Sequence, residues 1–515
     1  MALSSSAYAL WALLLGGAVV LFARQKGRKY PPGPKPLPIV GNLFDQPKLE
    51  PWKVYQEWSR QYDSDIIYFR LLSTHVIVLN SIQVAKDLLE KRALVYSGRP
   101  FSVMIHELTG WDRNLALMDY GDEWRSHRRM FHQQFTPKVI PEYHPASQRG
   151  ISRFLNLLHE SPDNFPRHIR FMTGAMILRL MYGVEAQPSD DRNIALSEKA
   201  VDVLSDMANA GAYLVDMVPI LKYLPAWFPG AVFKRQASEW KPIVDEMFFR
   251  PFRELKAAVD NGHPRPCIAS KMLARFPQDA YNEDIETVII NTTGSAYAAA
   301  VDTTVTTLNV FFLLMLQYPE AQRQAQKELD TLLSQGRLPT VNDRASLPYT
   351  TALVREVFRW HPALPLGVMH KTTADDVYEG MYIPADTLVI ANSWAILHDE
   401  RRYHNPFVFD PARYLTTSGN LNPDVPDPIE IFGFGRRICP GRYFALDTIW
   451  LAIANVLAAF TIEKPLDEAG NVIEPSGEFV SSLFSPPKPF KASIKPRFSE
   501  AVDLIRSPVS EFTDD

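Results

Sequence analysis

The sequence predicts a mainly α fold with a small β region, gathered into a single large α-rich domain behind an apolar amino-terminal segment. Three observations carry that prediction. Long apolar patterns of helical period dominate from about Glu123 to about Arg359. Short strand-like pieces flank them, at 66–71 and 76–79 before and at 380–384 and 387–391 after. No linker separates the two textures, so one domain is expected although 515 residues would ordinarily suggest two.

The amino terminus comes first. Residues 7–23 (AYALWALLLGGAVVLFA) are uncharged and apolar, near the lower length limit for spanning a bilayer. Arg24, Lys26, Arg28 and Lys29 follow at once, while residues 1–6 carry no basic side chain. A cleaved secretion signal has the opposite charge order and is the weaker alternative. Positive charge stays cytoplasmic, so residues 1–6 are expected in the lumen and the remaining chain in the cytosol. Residues 24–41 then read as a basic, Pro-rich spacer, stiffened by the Pro31-Pro32-Gly33-Pro34-Lys35-Pro36 run.

Within the helical body the longest pattern runs from roughly Asp284 to Gln317 and stops at Tyr318-Pro319. It is apolar at both ends yet carries Asp302, Thr303 and Thr304 at its middle. The Asn291 sequon lies inside this helix and is not expected to carry a glycan. Residues 224–230 (LPAWFPG) are apolar between predicted helices, and either dip into a bilayer or pack into the core. After Pro362 the chain turns to short strands, and helical character returns beyond Cys439.

Charge and cysteine content narrow the chemistry. With 54 Lys+Arg against 58 Asp+Glu, net −4, no basic excess points to nucleic acid. Two cysteines, Cys267 and Cys439, exclude a disulfide framework and a four-cysteine zinc site. Cys267, in a polar Pro-rich stretch, reads as an incidental loop thiol. Cys439 sits in Phe432-Gly433-Phe434-Gly435-Arg436-Arg437-Ile438-Cys439-Pro440-Gly441. Glycines at 433, 435 and 441 allow sharp turns and close approach to a flat group. Pro440 precedes a helical pattern, which puts Cys439 at a helix amino terminus where a thiolate is stabilised.

That segment resembles the haem-binding pattern of the cytochrome P450 family, Phe-x-x-Gly-x-Arg-x-Cys-x-Gly, at all five fixed positions. A chance match in a chain of this size has odds on the order of one in several thousand. Further matches occur in the order the family requires. Glu356 and Arg359 form Glu-x-x-Arg on one helix face. Arg413, in Phe-Asp-Pro-Ala-Arg-Tyr, matches the partner arginine, with Ala412 and Tyr414 departing from the commoner Pro-Glu-Arg-Phe. Trp124 and Arg128 form Trp-x-x-x-Arg. Ala299 to Thr304 resembles the family's Ala/Gly-Gly-x-Asp/Glu-Thr-Thr, with Ala300 in place of glycine.

The resemblance implies the P450 fold over 42–498, with 499–515 as a tail. It implies haem b held by the Cys439 thiolate as the iron's axial ligand, with Phe432, Gly435 and Gly441 shaping the loop. Arg437, Trp124, Arg128 and Lys371 would meet the haem propionates. Glu356, Arg359 and Arg413 would form a structural triad behind the loop. Asp302 and Thr303 would relay protons to dioxygen. The closest texture is fungal, microsomal and of the secondary-metabolism type. The reaction expected is insertion of one oxygen atom from O2 into a hydrophobic small molecule, by hydroxylation or epoxidation, at the endoplasmic reticulum membrane. No flavin or NADPH-binding unit is present, so electrons are expected from a separate NADPH-cytochrome P450 reductase, with cytochrome b5 as a second donor, at a face bearing Arg436 and Arg442. Substrate-facing positions implied are 104–118, 298–303, 363–368 and 479–484, with Trp111 and Phe484 available for stacking. A P450-type isomerase or dehydratase working without O2, and a non-catalytic haem or lipid binder, are the competing readings.

Overall fold

The computed structural model describes residues 28–506 apart from 189, 209–211, 264, 277–281 and 335; the predicted anchor at 7–23 lies outside the described residues. The principal helices are α1 (Pro51–Gln61), α2 (Asp122–Gln134), α3 (His144–Glu160), α4 (Phe165–Tyr182), α5 (Arg192–Met207), α6 (Val232–Asp260), α7 (Glu283–Gln317), α8 (Pro319–Leu333), α9 (Pro348–Trp360), α10 (Ser393–Leu397) and α11 (Arg442–Ala459). Short strands accompany them, so the molecule is the α-rich fold with a small β part that the sequence predicts.

Helix α7 is the axle. Asn282 caps it by accepting the Ile285 N–H, and Glu283, Asp284 and Glu286 place negative charge in its first turn. Tyr318 leaves helical geometry ahead of Pro319, which ends it. Its 35 residues span ~50 Å. Being apolar on nearly every side, it has no solvent face and is buried among α2, α4, α6 and α11. At Gly294 the crossing with α6 is so close that a Cβ would lie 2.2 Å from the Phe248 ring. Asn291, the sequon residue, is buried. Both α7 and α11 are long and apolar enough to cross a membrane by composition, but most of each is enclosed by the protein.

The sheet is built from β1 (Ile66–Leu71), β2 (Thr74–Leu79), β3 (His370–Lys371) and β6 (Leu388–Ala391), in the order β1-β2-β6-β3. Strands β1 and β2 form a hairpin with Ile66 opposite Leu79, and β2 runs parallel to β6. Two separate two-stranded sheets pair β4 (Asp376–Tyr378) with β5 (Met381–Ile383), and β7 (Phe460–Glu463) with β8 (Ser493–Pro496).

Three expectations change. From Tyr30 onward the Pro-rich stretch is docked on β1: the Tyr68 N–H donates to the Pro32 carbonyl at 2.8 Å, and Tyr30 stacks on Tyr68. The 224–230 stretch is not core, since Trp227 is 78% exposed. Cys267 is no surface thiol; it is buried at the amino end of a short helix, where its sulfur accepts the Ser270 N–H.

Candidate functional site

The Phe432–Gly441 segment folds back on itself. The Cys439 N–H donates to the Phe432 carbonyl at 2.8 Å, closing the loop. Gly433 and Gly435 hold φ of 78° and 54°, the left-handed region that other residues adopt only with strain. At Gly435 a Cβ would also meet the Leu89 carbonyl at 2.2 Å. Gly441 differs from expectation: it caps α11 at an ordinary φ of −86°. Its N–H donates to the Cys439 sulfur. Burial pushes the thiol pKa up, opposed by that N–H and by the Arg128 and Arg442 charges. Arg128 Nη2 donates to the Ile438 carbonyl at 2.6 Å and Arg442 Nη1 to the Cys439 carbonyl at 3.1 Å, so both arginines also brace the loop. Of the two arginines expected to face a partner, only Arg436 is exposed, donating to the Tyr120 hydroxyl.

Arg437, two residues before the cysteine, belongs to a buried group of cations. Arg437 Nε donates to the Ser97 carbonyl at 2.8 Å, and its guanidinium lies 4.5 Å from the Trp124 ring centroid. Its Nη1 and Nη2 are buried with no protein partner. Burial, with Arg128 nearby, pulls its pKa down to about 10. Arg99 is buried as well and donates to the carbonyls of Ala116, Val368 and Met369. Desolvation first, then the Arg437 charge, depresses its pKa. His370 donates from Nδ1 to the Tyr96 carbonyl at 2.8 Å and is held neutral by burial, then by Arg99 and Arg437. Unpaired N–H donors and mutually repelling charges in one buried place call for an anion.

Lys371 does not join this group. Its Nζ lies 3.3 Å from Asp386, and its neighbour His370 is the residue facing the cations. Alternation along strand β3 is the reason: consecutive side chains take opposite faces. Sequence reading missed Arg99, which stands in Ser97-Gly98-Arg99-Pro100 with no motif spacing to mark it. Its three carbonyl partners come from segments distant in sequence.

The three predicted triad residues do meet. Arg359 forks onto Glu356 at 2.7 and 2.8 Å, and Arg413 Nε reaches the same carboxylate at 3.1 Å. The Asp410 N–H adds a further donor at 3.0 Å. The Glu356 and Arg359 side chains are 0% exposed.

On α7, Asp302 and Thr303 face different partners. Thr303 Oγ1 donates to the Ala299 carbonyl at 2.9 Å, within its own helix. Asp302 is buried; Oδ1 accepts from Arg170 of α4 at 2.9 Å, while Oδ2 is buried without a partner. Burial raises its pKa against the opposing pull of Arg170. Asp302 and Thr303 thus bond to different partners, because neighbours on a helix point about 100° apart. The helix is continuous through Ala300. Trp111, expected to be free for stacking, is fully buried edge-on against Phe248.

Comparison with known proteins bears on these features together. The family model described as Cytochrome P450 matches residues 31–494. The chain belongs to the cytochrome P450 family. Relatives of this P450 include cytochrome P450 monooxygenase ple1 of Rhodocybe pseudopiperita, 41% identical over 508 residues, covering 98% of this chain and 97% of that one. Tryptamine 4-monooxygenase of Psilocybe cyanescens is 41% identical over 502 residues, covering 96% and 99%. Cytochrome P450 monooxygenase COX2 of Coprinopsis cinerea is 39% identical over 481 residues, covering 93% and 91%. Fungal P450 monooxygenases are thus its kin, and this P450 is an oxidoreductase of the monooxygenase class. The family carries haem, and the residues here fit it. Cys439 offers a thiol, and the orphaned Arg437 donors of the same loop suit a carboxylate.

Proposed function

We propose that this P450 inserts one oxygen atom from O2 into a hydrophobic small molecule, by hydroxylation or epoxidation, in fungal secondary metabolism. Cys439 would hold the haem iron through its thiolate; Arg437, Arg99 and Trp124 would hold the propionates, with His370 beside them in the place first expected of Lys371. When bound, haem supplies the activation of dioxygen. The chain's own residues do the rest. The Gly441 N–H and the Arg128 and Arg442 charges favour the anionic sulfur. Arg359, Arg413 and Glu356 keep the loop in register. Asp302 holds a proton or a charge at a buried carboxyl, and Thr303 offers a hydroxyl one residue on.

Electrons come from a membrane-bound NADPH-cytochrome P450 reductase, with cytochrome b5 as a second donor, approaching the face that bears Arg436. The chain is anchored in the endoplasmic reticulum membrane by residues 7–23. Exposed Ile220, Tyr223 and Trp227 support a second contact with the bilayer. The relative named tryptamine 4-monooxygenase supports an aromatic substrate, beside the terpenoid and polyketide classes that an apolar pocket also admits.

The observation that carries this reading is the closed Cys439 loop with the orphaned Arg437 donors beside it. Its test is the absorption spectrum of the reduced, CO-bound protein. A thiolate-type Soret band is expected in the parent and in Cys267→Ala, and not in Cys439→Ala. Loss of the band in Cys267→Ala alone would reverse the assignment. Turnover that persists without O2 and reductase would favour the isomerase or dehydratase reading instead. Haem binding without NADPH-driven oxygen consumption would favour a non-catalytic binder.

A further inference from the structure

We propose that Glu430 and Arg402 form a second buried lock on the Cys439 loop, distinct from the Glu356–Arg359–Arg413 triad. The proposal rests on the reading of Cys439 as the axial ligand. Arg402 Nη2 donates to Glu430 Oε1 at 2.8 Å, with side chains only 12% and 3% exposed. Arg402 Nη1 and Glu430 Oε2 are buried without partners, so each charge depends on the other for compensation. A pair in that position is expensive to break and adds little net stability over an apolar pair, which points to a role in fixing geometry.

What it fixes is the entry of the turn. The Glu430 main-chain carbonyl accepts the Gly433 N–H at 3.1 Å and the Ser393 hydroxyl at 3.4 Å. Two residues on, the Phe432 carbonyl receives the Cys439 N–H. Glu430 thus holds the strand of chain against which the cysteine closes.

The two locks are joined. Helix α10 begins at Ser393 and ends at Leu397, whose carbonyl accepts from Arg359 Nη1 at 3.0 Å. The Tyr403 ring lies under both guanidinium groups, 5.4 Å from Arg359 and 5.2 Å from Arg402. Its hydroxyl donates to the Pro426 carbonyl, just upstream of the loop. The triad holds the loop from α9 and residues 404–413; Arg402 and Glu430 hold its leading edge. Glu430 and Arg402 are positioning residues, acting on the sulfur through the backbone.

With that edge loosened, the Phe432 carbonyl no longer holds the Cys439 N–H in place, and the sulfur loses its fixed position at the amino end of α11. The test uses the full-length holoprotein, reduced and CO-bound, and follows the decay of the thiolate-type Soret band with time at one fixed pH. Glu430→Gln and Arg402→Gln are each expected to speed that decay about tenfold, the size of one charged hydrogen bond. The double variant should be no faster than either single one. Ile494→Ala, in β8 beyond the far end of α11 and ~27 Å along that helix from the loop, serves as the control for general destabilisation. At matched loss of Tm it should decay at the parent rate. Should Glu430→Gln not fold, Arg402→Lys keeps the charge without the fork and is expected to show a smaller acceleration. Equal decay in the loop variants and in Ile494→Ala would overturn the lock alone. Absence of a thiolate-type band in the parent would overturn the lock and the ligand assignment together.

Discussion

Arg170 donates to Asp302 at 2.9 Å, tying the acid of the longest helix to α4 and not to its neighbour Thr303. Arg170 also reaches Glu198 at 3.0 Å, a half-exposed partner that adds little. The buried end of the pair is the one that matters.

Arg170→Met would leave the Asp302 carboxyl buried without its counter-charge, so its already raised pKa would rise further. A raised carboxyl pKa is compatible with folding at low pH, and its stability is lost as pH climbs through the folded value. The expected deficit is therefore small at pH 5 and about 3 kcal/mol at pH 8. Urea unfolding at the two pH values checks it; a deficit that shrank with rising pH would contradict the assignment.

Haem retention separates the cations. Arg437→Met and Arg99→Met should each lower the affinity for haem about tenfold or more, the loss of one charge-assisted contact. Lys371→Met should leave it unchanged, because that ammonium pairs with Asp386. The ratio of haem to protein after passage over apomyoglobin reads the order directly.

Two glycines of the loop should respond differently. Gly435→Ala meets a left-handed φ and the Leu89 carbonyl at once, and is expected to destabilise by at least about 2 kcal/mol. Gly441→Ala meets neither, its Cβ standing 4.0 Å from the Cys439 sulfur, and should stay within about 0.5 kcal/mol. Thermal unfolding of both variants with haem bound decides between them.

His361 sets an acid limit. Fully buried between Ser485 and the Phe479 ring, it has its pKa pushed down to about 3 by desolvation. A depressed histidine stabilises above its unfolded value near 6.5 and loses that contribution as pH falls toward 3, by about 1.4 kcal/mol per unit. His361→Asn should flatten the stability profile between pH 6.5 and 3, measured by denaturant midpoint. A parallel profile would assign the acid limit to His370 or His398, which burial also depresses.

Much of the site was readable because its constraints are local. The Cys439 loop needs glycine at 433 and 435 and closes within ten residues, so the pattern lies whole in the chain. Glu356 and Arg359 are one helical turn apart, and their apolar neighbours announce a buried pair. The length of α7, its acidic start and its proline stop follow from propensity and capping. Such features depend on residues near one another in sequence, and a sequence displays them.

Tertiary structure alone decided which long-range partner each charge received. Arg99 and His370 join Arg437 only because β3 and the 97–99 segment are folded beside the loop, and strand alternation turns Lys371 away. Asp302 finds Arg170 across 132 positions of chain, and Glu430 finds Arg402 across 28. Trp111 and Cys267 look available in sequence and are buried in the fold. The physical reason is common to all: a buried charge or ring is settled by whatever the folded chain brings within hydrogen-bond or contact distance, and no local pattern encodes that neighbour.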